Sequence, residues 1–252
     1  MIQLELASAY GERQAELGES LLRSRDARGC DGLGREGFAR DWFCSIDQLV
    51  AHAATVFAEE PFLRRLILCT SPDVQAQLRA LAVVPELARV RELSISTTEQ
   101  RTRPGSEGLA TLLASPHWPR LEGLQLLHCA IGDAGAKLLA RAALSELQAL
   151  DLTDNDIGPD GVVALAGSPV LTRLRMLILS RNNVGWGGVA ALADAGNRMP
   201  LELVELYEAG VTSAVVEPLA KRFPGIELRY LPPPEPQPAE EADDTFTKGP
   251  FV

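Results

Sequence analysis

The apolar positions between Leu147 and Ala166 follow two different spacings. They first read Leu-x-x-Leu-x-Leu-x-x-Asn-x-Ile, ending at Ile157, and then read Gly-x-x-x-Leu-Ala from Gly161 onward. Alternating apolar residues are typical of a strand, whereas apolar residues three or four positions apart are typical of a helix. The stretch therefore predicts one unit that contains a strand, a turn and a helix.

This unit recurs along the chain, and a fixed period of this length is the signature of a repeat architecture. Successive repeat starts differ by 27, 31, 26, 27, 27 and 27 residues. The starts are Leu63, Val90, Leu121, Leu147, Leu174, Leu201 and Leu228. The long second unit predicts a longer loop around 100–105, and the third, fourth and fifth units are the most regular.

The chemistry of the backbone explains the polar position in this template. Side chains of a strand alternate between two faces, so Leu150 and Leu152 are both expected to point into the core. Asn155 and Asn182 follow their strands, where a side-chain amide can form hydrogen bonds with backbone groups that no longer pair with a neighbouring strand. Cys129 takes the same position in the unit before and is expected to be a weaker donor.

Small and apolar residues mark the helix of each unit. Gly135, Gly161 and Gly188 stand where the returning helix begins and must approach its neighbour closely. The inner face of the helices is predicted from four leucines in equivalent positions, namely Leu139, Leu165, Leu192 and Leu219. Each repeat is thus expected to contribute a strand and one helix face to a continuous core.

A 27-residue unit with Leu-Ala on its helix resembles the ribonuclease-inhibitor type of leucine-rich repeat. The resemblance covers residues 63–231, as about six full repeats and a terminal strand. It implies an α/β fold, a horseshoe-shaped leucine-rich-repeat solenoid with a parallel β-sheet on the concave face and α-helices on the convex face. The sequence before it is expected to close the N-terminal end of the array.

Residues 1–62 do not repeat and predict an N-terminal helical cap. Apolar residues within 2–22 favour one or two amphipathic helices, whereas 38–44 favours a strand and 46–59 a helix. A Gly-x-Gly-x-x-Gly sequence at 32–37 has no strand before it, so we interpret it as a Gly-rich loop rather than a dinucleotide-binding turn.

Two segments, 1–6 within the cap and 37–66 across its boundary with the repeats, resemble the second half of the bacterial repeat-companion domain of myxobacterial and planctomycete proteins. At the other end of the chain, residues 232–252 combine prolines with acidic side chains, a composition that resists a packed core. We expect a Pro-rich acidic tail that is disordered, and its two final phenylalanines leave open a short binding segment.

The net charge of −10 argues against a nucleic acid or a membrane surface as partner, because both attract clustered Lys and Arg. No run of 18 apolar residues occurs, and Glu5 and Glu12 interrupt any signal-peptide core. We therefore expect a cytoplasmic protein and favour a monomer. The four cysteines show no metal-binding spacing, which favours free thiols: Cys30, Cys44, Cys69 and Cys129.

If the solenoid is correct, the side chains between the buried leucines are displayed on the concave face. Apolar residues of the C-terminal repeats would then be neighbours on adjacent strands: Met176, Ile178, Leu203, Tyr207 and Tyr230. Charged residues would edge them: Asp151, Arg181, Glu205 and Glu208. Apolar and aromatic anchors inside a charged rim are typical of a protein-binding site.

Evidence for catalysis is thin. His128 and Asp154 follow their strands and are interpreted as surface residues, and the acidic stretch 154–161 lacks the ligand spacing of a calcium loop. We expect no catalytic residue, cofactor or metal, and predict a non-catalytic module or scaffold that binds a protein partner. Two alternatives stay open: an activator-type regulator of a small GTPase, by fold analogy, and an enzyme with a site at the junction of cap and repeats.

Overall fold

The computed structural model describes residues 41–97, 102–118, 120–169, 171–195, 199–222 and 227–230. The predicted helices within 2–22, the Gly-rich loop at 32–37 and the tail at 232–252 lie outside these ranges, as does 98–101 within the predicted long loop.

The strands of the described residues form one parallel sheet of eight, in which neighbours follow the order of the chain. They are β1 (Asp41–Ser45), β2 (Arg65–Cys69), β3 (Glu92–Ser96), β4 (Gly123–Leu127), β5 (Ala149–Asp151), β6 (Met176–Ile178), β7 (Leu203–Leu206) and β8 (Glu227–Tyr230). Each connection must return the chain to the start of the next strand, because the strands are parallel. The predicted α/β solenoid with a parallel sheet is confirmed.

Helices supply most of these return paths, and consecutive helices pack side by side. They are α1 (Ile46–Glu59), α2 (Val74–Ala82), α3 (Gly105–Leu113), α4 (Gly132–Leu139), α5 (Pro159–Ala166), α6 (Gly185–Asp194) and α7 (Ser213–Arg222). A short 3-10 helix, Pro85–Arg89, follows α2. The helices therefore form a second layer, on the convex side of the sheet.

The core lies between the sheet and the helices. Leu150 and Leu152, predicted to point inward, are completely buried. The four predicted helix positions are equally buried: Leu139, Leu165, Leu192 and Leu219. Because the same positions recur in successive repeats, the apolar contacts form one continuous core along the solenoid.

The predicted strand and helix of the N-terminal cap are present as β1 and α1. β1 pairs with β2 in parallel, Trp42 opposite Leu66, so the sheet continues one strand beyond the first predicted repeat. Ser45 begins α1 with a capping box: its hydroxyl accepts from the Gln48 N–H (3.2 Å), and the Gln48 side chain accepts from the Ser45 N–H (3.0 Å).

The asparagines satisfy backbone groups where the chain leaves the strands, as predicted, and some of these groups belong to the neighbouring repeat. The side-chain oxygen of Asn182 accepts from the N–H groups of Asn155 (3.1 Å) and Ile157 (2.9 Å), while its amide donates to the Leu152 carbonyl (2.8 Å). Asn155 accepts in the same way from the Cys129 N–H (3.1 Å). The Cys129 thiol donates weakly to a carbonyl two residues earlier (3.4 Å), so it satisfies less of the turn than an amide does.

The glycines at the helix starts allow close packing. A Cβ on Gly161 would lie 2.5 Å from Oδ1 of Asp133 and 3.1 Å from Cβ of Ala136, in the preceding helix. On Gly188 it would lie 3.1 Å from Cβ of Val162. These contacts confirm the predicted close approach between successive helices.

The cysteines of the described residues, Cys44, Cys69 and Cys129, are free thiols, in line with the prediction for these three. Burial raises the pKa of the Cys129 thiol to about 12, and the nearby Arg103 cation opposes this rise. Burial also raises the pKa of Cys69. Neither residue is an activated nucleophile, because only the thiolate is reactive.

Candidate functional site

Apolar residues lie on and directly after adjacent strands in the C-terminal half of the concave face. Met176 pairs with Leu203 in the register of β6 and β7, and Ile178 follows Met176 on the same face of β6. Tyr207 comes directly after β7, where its N–H donates to the Ser180 hydroxyl (3.2 Å). We call Met176, Ile178, Leu203 and Tyr207 the concave patch.

Exposure distinguishes these residues from the leucines that alternate with them. Met176 is 39 % exposed, and the other three members of the concave patch are half-buried. Leu177, between Met176 and Ile178, is completely buried. The strand therefore presents one apolar face to the core and a second, partly solvated apolar face to the concave side.

Asp151 lies beside Ile178 in the register of β5 and β6. Its carboxylate Oδ1 accepts from both the N–H (3.0 Å) and the hydroxyl (2.7 Å) of Thr153, which fixes its orientation. Asp151 thus edges the concave patch, in the position that the repeat alignment predicts.

Glu205 differs from the prediction of an exposed rim residue. It lies opposite Ile178 and is only 4 % exposed, because neighbouring strands of the inner face enclose it. The Ser180 hydroxyl donates to its Oε1 (2.9 Å), and Nη1 of Arg229 lies 3.9 Å from its Oε2. Glu205 therefore acts as a buried, partnered carboxylate next to the patch.

The predicted place of Tyr230 on the concave face is wrong. The register pairs Tyr230 with Leu206, whose side chain faces the core, and Arg229 with Glu205. Tyr230 accordingly packs against the core from the end of the solenoid. It does not extend the concave patch beyond Leu203.

His, Asp, Arg and Glu residues follow the strands at equivalent turn positions. His128, Asp154, Arg181 and Glu208 all have positive φ, between 51° and 57°. His128 contacts Asp154, and Nε of Arg181 donates to Oε2 of Glu208 (3.0 Å). Residues of successive repeats are thus joined in pairs along this edge of the sheet.

An open groove of about 650 Å³ runs along the same edge. Most of its charged lining is acidic: Asp133, Asp154, Asp156 and Glu208, against Arg181. Asp133 also organises the backbone, because its Oδ1 accepts from the N–H groups of Gly158 (2.7 Å) and Gly161 (3.0 Å) at the start of α5. We call this feature the acidic groove.

The family described as Leucine Rich repeat matches two segments of the chain, residues 121–140 and 145–166. The first covers β4 and α4, and the second covers β5 and all of α5. These segments are leucine-rich repeats. No curated protein sequence matches the chain.

The leucine-rich repeats place the asparagines and glycines where the template predicts them, and they account for the acidic stretch 154–161 as a strand-to-helix turn. Within the described ranges, no group of three or more His, Cys, Asp or Glu side chains is arranged to hold a metal ion. Among the helices of the described residues, none is long and apolar enough to cross a membrane.

At the junction of cap and repeats, polar side chains bond to one another. The Ser71 hydroxyl donates to Oδ2 of Asp47 (3.2 Å), and the buried Gln77 amide contacts both residues. A cavity of about 10 Å³ beneath the first three repeats is lined by apolar residues and the Cys129 thiol. These groups support packing between neighbouring repeats.

Sequence reasoning missed three residues of this surface. Arg229 was not placed on the concave face, and Asp133 and Asp156 were not assigned to a groove. In the sequence of the last repeat, Leu228 and Leu231 have the spacing of the first two leucines of the template. Leu228 pairs with Val204, however, and therefore takes the second leucine position, which aligns Gly225 with the first. Shifting the alignment by three residues places Arg229 beside Glu205.

Proposed function

We propose that the chain is a non-catalytic interaction module that binds a protein partner through the concave patch. Leucine-rich repeats generally mediate protein–protein interactions. The observation that carries the proposal is the exposed Met176 beside Leu203 on a rigid sheet. Apolar anchors on a preorganised surface bind with a small loss of conformational entropy.

The surroundings of the patch support this function. Other strongly exposed apolar side chains of the described residues stand on helices or loops, for example Val163 on α5 and Trp186 on α6. Met176, in contrast, pairs with Leu203 across β6 and β7 and shares the concave face of β6 with Ile178, which lies beside Asp151. This combination matches the apolar centre and polar rim of protein interfaces.

We further propose that the repeats are of the ribonuclease-inhibitor type and act in the cytoplasm. The helix on each of the regular repeats supports the type, and the free thiols of Cys44, Cys69 and Cys129 support a reducing compartment. Titration of the thiols under native and denaturing conditions tests whether the cysteines are free, and circular dichroism shows which samples are folded.

Affinity capture from the native lysate tests the binding function. Met176→Asp adds a charge to the concave patch, and the matched control Val163→Asp makes the same change at a residue 49 % exposed on the convex side. We expect a partner that is retained by wild type and Val163→Asp and lost with Met176→Asp, both variants keeping the wild-type circular dichroism spectrum. A partner retained equally by all three proteins would contradict the proposal.

A further inference from the structure

The two edges of the concave face differ in charge. At the edge where the strands begin, three carboxylates pair with arginines of neighbouring repeats: Arg91 and Glu122 (3.4 Å), Arg173 and Glu146, and Arg175 and Glu202. Cations and anions are therefore balanced along this edge. It offers little net attraction for a partner of either sign.

The opposite edge, where the strands end, carries the acidic groove with four carboxylates and one guanidinium. Asp154 contacts His128, and Glu208 pairs with Arg181. Asp156 is exposed, has φ 58°, and makes no side-chain hydrogen bond or ion pair within the described part of the chain. The groove therefore keeps an excess of negative charge that its own residues do not neutralise.

The acidic groove is continuous with the concave patch. Arg181 comes three residues after Ile178, and Glu208 directly follows Tyr207. The strand ends that carry Ile178 and Tyr207 therefore lead directly into the groove, and opposite charges attract over a screening length of about 8 Å at physiological ionic strength. The apolar anchors and the negative field act on the same ligand.

We infer that the partner presents a basic segment: an apolar side chain that contacts the concave patch, flanked by Lys or Arg that face the acidic groove. The inference rests on the proposed function. Complementary charge speeds association and selects among partners, whereas an acidic segment placed here meets like charge. The partner class is therefore a cationic peptide segment with an aliphatic or aromatic anchor.

Selection from a phage-displayed library of random linear peptides on the whole chain tests the inference. Two variants change the net charge equally at the two edges. Asp156→Asn with Glu208→Gln removes charge from the acidic groove, and Glu146→Gln with Glu202→Gln removes it from the balanced edge. Asn is tolerated at positive φ, and the single Asp156→Asn variant serves if the double variant does not fold.

We expect selected peptides to be enriched in Lys and Arg over the unselected library. Synthetic copies should bind the groove variant about tenfold more weakly than wild type, and the balanced-edge variant within about twofold, as two partly screened charge contacts imply. Peptides that bind without a basic bias, but lose binding to Met176→Asp, overturn the inference and leave the proposed function standing. Peptides that bind Met176→Asp as well as wild type, or no enrichment at all, overturn both.

Discussion

The side-chain oxygen of Asn182 accepts a hydrogen bond from the backbone N–H of Asn155, 3.1 Å away in the preceding repeat. The Asn182 amide also donates to the Leu152 carbonyl (2.8 Å). One side chain therefore satisfies backbone groups of two repeats where the chain leaves the sheet. The asparagines join repeats that otherwise meet through apolar packing and strand pairing.

Asn182→Ala should destabilise the solenoid, because it leaves several buried backbone groups without partners. We expect the free energy of unfolding to fall by about 2–4 kcal/mol, with each unsatisfied group costing about 1–3 kcal/mol before relaxation. Asn183→Ala is the matched control, since Asn183 is exposed. Urea denaturation followed by circular dichroism measures both, and equal losses would show that the buried amide contributes nothing specific.

Two helix glycines should respond in opposite directions to the same substitution. Gly161→Ala would bring a Cβ to 2.5 Å from Asp133 Oδ1, so we expect a loss of about 1–3 kcal/mol from overpacking. Gly187→Ala meets only Cβ of Pro159 at 3.5 Å and should stabilise α6 by about 0.5–1 kcal/mol. Thermal unfolding checks the signs; stabilisation by Gly161→Ala would refute close packing at α5.

The buried Cys129 thiol should make stability fall in alkaline solution. Its pKa is raised by burial from 9.0 to about 12, so between these values the unfolded chain releases a proton that the folded chain keeps. The free energy of unfolding therefore decreases as pH rises through this window, by up to about 1.4 kcal/mol per pH unit from this group.

Cys129→Ala lacks this contribution and should show a shallower decline of stability above pH 9.0 than wild type, whatever its stability at neutral pH. Urea denaturation at a series of pH values gives both slopes. Parallel slopes would mean that the Cys129 thiol ionises alike in the folded and unfolded chains.

The regular repeats were predictable from sequence because each position has one local physical role. Leu150 and Leu152 must point inward, Asn155 must satisfy a turn, and Gly161 must admit the neighbouring helix. A single repeat contains all these signals, and its neighbours repeat them. The register of β4 to β7, and with it the Met176 and Leu203 pair, follows from the period alone.

The end of the solenoid was less predictable, because the last repeat keeps too few template residues to fix its register. Leu228 was aligned with Leu201, whereas it pairs with Val204, and this shift turns Tyr230 toward the core. The burial of Glu205 also depends on atoms of three strands, with Ser180 and Arg229 on either side. Such enclosure is a property of packing and has no signature in the sequence of β7.

Site-specific photo-crosslinking in the native lysate tests the concave binding face most directly. Benzoylphenylalanine replaces Leu203, half-buried on the concave patch, or Leu138, 37 % exposed on the convex side of α4. We predict a covalent partner adduct from position 203 and none from position 138. An adduct from position 138 alone would contradict the account and place the partner on the helices.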